Sequence, residues 1–280
     1  MAASDFGDLD ATALAALVRR KEASALELVD DAIRRCEQVN DQLNAVITET
    51  FERARSEASG PLGDGPFAGV PFLMKDFGAE VAGVRFFEGS SFLDGYIPAV
   101  DSEIYTRFRR AGLISIGKTN LPELAIGTTT EPRLFGATHN PWDLARTPGG
   151  SSGGAGAAVA ARVVPLAHGN DVGGSIRIPS SCCGLVGLKP SRGRVSLAPH
   201  YGDIIGGAFN EHALTRTVRD SAALLDAIAG PVPGEPYSAR PPVRPYAEEV
   251  GRDPGKLRIA FSTVTPLGDP LDAECVAAVH

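Results

Sequence analysis

Residues 149–196 read GGSSGGAGAAVAARVVPLAHGNDVGGSIRIPSSCCGLVGLKPSRGRVS, and the rest of the chain is best read outward from them. Two serines stand in glycine-rich settings, Ser151 in GGSSGG and Ser175 in DVGGSIR. Glycine that dense lets backbone N–H groups crowd around one small volume, because no side chains block the approach. A hydroxyl held there can become a nucleophile, with the N–H groups holding the oxyanion it creates. The N–H groups of Val172, Gly173, Gly174 and Ser175 are the candidates for that hole. The alanine-rich segment 155–163 reads as a helix starting directly after the first glycine loop, so its N-terminus adds partial positive charge near Ser151.

Upstream, segment 69–74 (GVPFLM) is a continuous apolar run ending at Lys75. Such a run suits a buried strand that delivers Lys75 at its edge. A lysine at a strand end is ordinarily a solvated surface group; only the company of the two serines makes Lys75 a candidate base. Free lysine titrates near 10.4, and burial without a strong carboxylate partner lowers that by several units, roughly. Ser151 can then accept a proton from Ser175 and pass its own to Lys75, since a hydroxyl both donates and accepts. Other readings of the same residues are weaker. GGSSGGAG at a helix N-terminus resembles a phosphate cradle but lacks the GK[ST] of a P-loop. GGSSG also matches G-x-S-x-G, which would make Ser151 a nucleophile elbow served by His168 or His212, yet the preceding DLARTPG shows no apolar strand. His168, beside Gly169, reads as structural.

The paired GGSSGG and DVGGSIR, with the KD lysine of VPFLMKD upstream, resemble the amidase signature family of serine hydrolases. The resemblance runs from the helical N-terminus through IGKTNLPEL and on through LTRTVRDSAALLDAIAG. Within the family the chain is most similar to broad-specificity bacterial amidases and 6-aminohexanoate-cyclic-dimer hydrolases. The resemblance implies an α/β fold with a mixed central sheet flanked by helices. It also implies a Ser-Ser-Lys triad: Ser175 as nucleophile, Ser151 as the bridging serine after a cis peptide bond from Gly150, and Lys75 as general base. The implied reaction is hydrolysis of a carboxamide to a carboxylate and ammonia or amine through an acyl-enzyme, without metal or cofactor. Lys118, Thr119, Asn120 and Glu123 form a family-like element that reads as structural, with Ile126 and Gly127 near an apolar acyl pocket. Ser152 is expected to hydrogen-bond near the triad, and Asp171 with Arg177 to form a buried pair that fixes the DVGGSIR loop. An alternative within the resemblance is the glutaminase A subunit of a tRNA-dependent amidotransferase. Ile178 after Arg177, where such subunits carry a polar residue, speaks against it, as does LAPHYGDIIGGAFNEHALTRT after GRVS. Members of the family continue well past the length of this chain. The last segment reads as a truncated helix: Asp269 can N-cap, Pro270 suits the first position, and Leu271, Cys275 and Val279 share one face. An inactive fragment is therefore the reading of a different class.

At 280 residues the chain is long enough for one large α/β domain with a full core. Its net charge of −7 argues against nucleic acid and anionic membranes as partners. No apolar run reaches membrane-spanning length. The N-terminus is acidic first and basic later, the wrong order for a signal peptide. The four cysteines, Cys36, Cys182, Cys183 and Cys275, fit neither a disulfide framework nor a zinc site; Cys182 and Cys183 read as small packing residues. A cytoplasmic setting, a small-molecule amide as partner, and a homodimer are the matching expectations.

Residues 1–60 are expected to form a helical cover, 61–230 the catalytic core, 231–255 a loop and 256–280 the start of a C-terminal part. Helices are expected over 9–21, 25–41, 51–58, 103–111 and 215–229, the first two as an antiparallel pair. Strands are expected over 44–47, 69–74, 114–117 and 257–262. Residues 231–255 are rich in Pro and Gly and read as surface loop.

Overall fold

The structure is a computed structural model of the chain and describes residues 6–280. The first residues of the acidic N-terminal segment, 1–5, lie outside the described residues. Helix α1 (Ala11–Arg19) starts where the Asp10 carboxylate accepts the Ala13 N–H at 3.0 Å. Helix α2 (Ala25–Leu43) starts with a capping box: Ser24 Oγ accepts the Glu27 N–H, and the Glu27 carboxylate accepts the Ser24 N–H. It stops at Asn44, a left-handed C-cap with φ 49°. Strand β1 (Val46–Glu49), helix α3 (Phe51–Ala58), strand β2 (Val70–Lys75), helix α4 (Glu103–Arg110) and strand β3 (Leu113–Thr119) follow. Then come α5 (Gly153–Ala160), β4 (Leu166–Asp171), α6 (Arg177–Cys183), β5 (Val186–Gly187), β6 (Asn210–Thr215) and α7 (Val218–Ile228).

Among the described residues the strands form one six-stranded sheet in the order β1-β3-β2-β4-β6-β5. Its centre is parallel, β2 pairing with β3 and β4, and its flanks are antiparallel. This is the mixed, helix-flanked α/β sheet that the family resemblance implies. β2 and β4 therefore end side by side, Lys75 closing one strand and Asp171 the other. In open α/β sheets the carboxyl ends of parallel strands are where ligands bind.

Strand alternation divides the core. Val70, Phe72 and Met74 of β2 join one buried cluster with Leu14, Phe108 and Leu224, while Leu73 joins a second with Val29, Ile33, Ile116 and Ala158. Helices α1, α4 and α7 thus serve one face, and α2, α3 and α5 the other. This corrects the expected pairing of the first two helices: each finds more apolar surface on the sheet than on its sequence neighbour. Strands β4, β5 and β6 and helix α6 have no counterpart in the sequence reading. In β4 and β6 (LAHGND and NEHALT) charged and amide side chains are buried throughout, so no apolar run betrays the strand.

Residues up to Val250 form one compact unit, and Gly251–His280 a second. The second unit contains helix α8 (Ala273–Val279). Its N-cap is Asp272, whose carboxylate accepts the Glu274 N–H at 2.8 Å, not Asp269. A second aspartate three residues on, immediately before the alanine-rich run, takes the cap. The expected strand over 257–262 does not form; an apolar pattern needs a partner backbone to become a strand, and this run has no ladder among the described residues.

Candidate active site

The site is built where β2, β4 and the start of α5 meet. Lys75 is fully buried. Its Nζ lies 2.7 Å from Ser151 Oγ and 2.7 Å from Asn170 Oδ1. Burial pushes the Lys75 amine down to about 7, against the opposing charges of Glu211, Asp171 and Glu88. A cation in that position has no carboxylate bonded to it, only two neutral oxygens, and desolvation favours the uncharged amine. Asn170 is itself held by a hydrogen bond from Nδ2 to the Phe77 carbonyl at 2.9 Å.

Ser151 is buried, follows a cis peptide bond from Gly150, and stands two residues before α5. The helix is pulled tight against the sheet because Gly154 has no side chain. A Cβ there would sit 2.5 Å from Asn120 N and 2.7 Å from the Ala45 carbonyl. The Gly154 N–H instead donates to the Asn120 carbonyl at 3.1 Å. Ser152 ties the two glycine loops together: its N–H donates to the Ser175 carbonyl at 3.1 Å, and its Oγ to the Asn170 carbonyl at 3.4 Å.

The loop carrying Ser175 is wound around Asp171. The Asp171 carboxylate accepts the N–H groups of Gly174 (2.8 Å), Ile176 (3.0 Å) and Arg177 (3.3 Å), and is clamped by the Arg177 guanidinium through Nε and Nη2. Burial works to raise its pKa, but these hydrogen bonds win and hold the carboxyl below its ordinary range. Gly174 takes φ +134°, a conformation that side chains avoid. Two expectations change in detail. The Gly174 N–H is already engaged by Asp171, which leaves the amides of Val172, Gly173 and Ser175 as candidate oxyanion donors. Asp171 is buried, but the Arg177 side chain is 51% exposed, since a long guanidinium can reach an inner carboxylate while its own outer face stays wet.

Ser151 and Ser175 line one cavity of about 340 Å³. Ile126, Gly127, Val172 and Gly173 share its wall, and every lining residue is uncharged. Phe77, Ile178, Ile204, Ile205 and Phe209 also line it; these the sequence reading missed, because nothing in the sequence links the 204–209 loop to the glycine loops. Asn170 was missed too, although its place next to Asp171 and two residues after His168 was a usable strand signal. Lys118, Thr119 and Asn120 stand behind the site: Lys118 Nζ makes a fully buried ion pair with Asp76 at 2.8 Å. Cys183 is buried, whereas Cys182 is exposed and does not pack as expected. Among the described residues no group of three or more His, Cys, Asp or Glu side chains stands close enough to hold a metal ion, and no helix is long and apolar enough to cross a membrane.

Residues 27–280 match the family described as Amidase. Over 277 residues the chain is 48% identical to 6-aminohexanoate-cyclic-dimer hydrolase of Paenarthrobacter ureafaciens, an alignment covering 97% of this chain and 56% of that protein. A solved structure of 6-aminohexanoate cyclic dimer hydrolase complexed with substrate superposes with a TM-score of 0.92 at 47% identity, covering 96% of this chain and 57% of the other. A bacterial aryl acylamidase of the amidase signature family superposes with a TM-score of 0.79 at 34% identity, covering 86% and 51%. The chain thus spans little more than half the length of these relatives.

Proposed function

The chain belongs to the amidase family, and we propose that it hydrolyses a carboxamide carbon–nitrogen bond through Lys75, Ser151 and Ser175. The observation that carries this reading is a fully buried lysine bonded to a serine rather than to a carboxylate, at a cavity shared with a second serine in a glycine-rich loop. Neutral Lys75 takes the proton of Ser151 as Ser151 takes that of Ser175. Ser175 Oγ then attacks the amide carbonyl. The amides of Val172, Gly173 and Ser175 receive the oxyanion, each worth on the order of 3 kcal/mol in the transition state. The relay returns its proton to the departing nitrogen, leaving an ester on Ser175. Water, deprotonated by the same relay, hydrolyses it.

The uncharged wall supports an uncharged substrate, because a charge placed there would be desolvated without a partner. The cyclic dimer of 6-aminohexanoate, named in two of the relatives, is a neutral amide of that kind and the first substrate to try. The free thiols Cys36, Cys182, Cys183 and Cys275 suit a reducing, cytoplasmic setting, and we take residues 61–230 as the catalytic core.

A fluorophosphonate, followed by peptide mass spectrometry, tests the assignment on the chain as it stands. The expected adduct is on Ser175, absent from Ser175→Ala and strongly slowed in Lys75→Ala. An adduct on Ser151, or labelling indifferent to Lys75, would sink the reading.

A further inference from the structure

Beneath Lys75 lies a buried ionisable pair that the relay does not use. His168 and Glu211 are both buried, and His168 Nε2 lies 2.6 Å from Glu211 Oε2. The other ring nitrogen, Nδ1, accepts the backbone N–H of Lys75 at 3.3 Å. A nitrogen that accepts an N–H leaves the proton of a neutral ring on its partner, so Nε2–H donates to the carboxylate. The ring is packed edge-on against Phe108, with centroids 5.5 Å apart.

The sheet makes this arrangement. His168 and Asn170 are two apart in β4 and share a face, and the β4–β6 ladder sets Glu211 directly opposite Asn170. Asn170 Oδ1 is the second oxygen on Lys75 Nζ. Glu211 therefore adjoins Lys75 by two routes, through the His168 ring to its backbone and across the ladder from the amide that holds its amine. Burying a carboxylate is costly unless something is gained from its charge.

We propose that Glu211, bonded to His168, is a positioning residue for Lys75, its fixed charge keeping the buried amine able to take up a proton. The proposal rests on the reading of Lys75 as the base. Complete burial alone drives an amine toward permanent neutrality, and a base that cannot hold a proton cannot draw one from a serine. Of the charges that oppose burial at Lys75, Glu211 acts most strongly, ahead of Asp171 and Glu88. The other ionisable groups on the surrounding elements are His168 of β4, His212 of β6, and Asp76 with its partner Lys118 of β3.

The test reads Lys75 directly. The full chain is labelled with [13Cε]lysine, the Lys75 resonance is identified by its loss in Lys75→Met, and its titration is followed by NMR. Glu211→Gln is expected to lower the midpoint by about one pH unit, a tenfold change in the amine's proton affinity. Glu211→Asp, which keeps the charge and retracts it by one methylene, should shift it in the same direction by less and serves where Glu211→Gln fails to fold. An unchanged midpoint in either folded variant overturns the proposal. The pH limb of Ser175 phosphonylation is expected to move with the midpoint. A midpoint that moves while that limb stays fixed supports the coupling and removes the base role from Lys75.

Discussion

Lys75 combines two properties that seldom coincide, complete burial and an amine hydrogen-bonded only to neutral oxygens. With its amine pushed down to about 7 by burial, the neutral fraction grows as pH rises through that value. The reactivity of Ser175 toward a fluorophosphonate is therefore expected to rise through about pH 7 and level off above it. Lys75→Met should remove the limb and lower the plateau by roughly 10²–10⁴-fold, the usual range for a positioned base. The same shift has a stability consequence of fixed sign. The folded pKa lies below the unfolded value of about 10.4, so between the two the unfolded chain holds a proton that the folded chain has released. Stability from this residue then increases with pH across that window, and urea midpoints across it should lose this slope in Lys75→Met. A slope that persists unchanged would show that the amine titrates as an ordinary solvated lysine.

At the scale of elements, the seating of α5 on the sheet depends on one missing methyl group. A Cβ at Gly154 would lie within 2.7 Å of three backbone atoms of Asn120 and Ala45, none of which can rotate away. Gly154→Ala is expected to destabilise the fold by about 1–3 kcal/mol, the common range for overpacking. Because α5 follows Ser151, the variant should also slow Ser175 labelling beyond what its thermal midpoint explains; labelling at the parent rate in a destabilised variant would uncouple the helix from the site. The dependence was only half legible in the sequence. Strand β2 was legible because GVPFLM is continuously apolar, and the serine loops because their glycines have no cheaper explanation. Strands β4 and β6 were not, since they bury His168, Asn170, Asp171, Glu211 and His212; His168 and Asn170 find partners on other segments and Asp171 in its own loop, and such pairing leaves no periodicity in either strand. Run 257–262 shows the converse: it has the composition of a strand without a partner to make one.

Across the first unit, residues up to Val250, the polar seam between β4 and β6 ties the site to global stability. His212 sits fully buried in β6 opposite Gly169, its Nδ1 accepting the Ala213 N–H, and burial pushes its pKa down to about 4. The unfolded value is about 6.5. Between the two the unfolded chain takes up a proton that the folded chain refuses, so stability falls as pH falls across this window, by on the order of 3 kcal/mol in total. The carboxyls act differently: burial raises those of Asp76, Glu88 and Asp220, which take up protons early and oppose the loss as pH falls. Asp171 and Asp10, whose carboxyls are held below their ordinary range against the effect of burial by hydrogen bonds from Arg177 and Arg219, lose their contributions only below the usual carboxylate pKa of about 3.9. Urea melts of the parent and of His212→Asn at about pH 7 and about pH 4.5, taken as a difference, isolate the histidine. The parent chain should weaken between them, and His212→Asn, which cannot take up the proton, should weaken much less. Equal losses in both would move the acid sensitivity to the carboxylates and leave His212 protonated inside the fold, paired with a group that the seam must then supply.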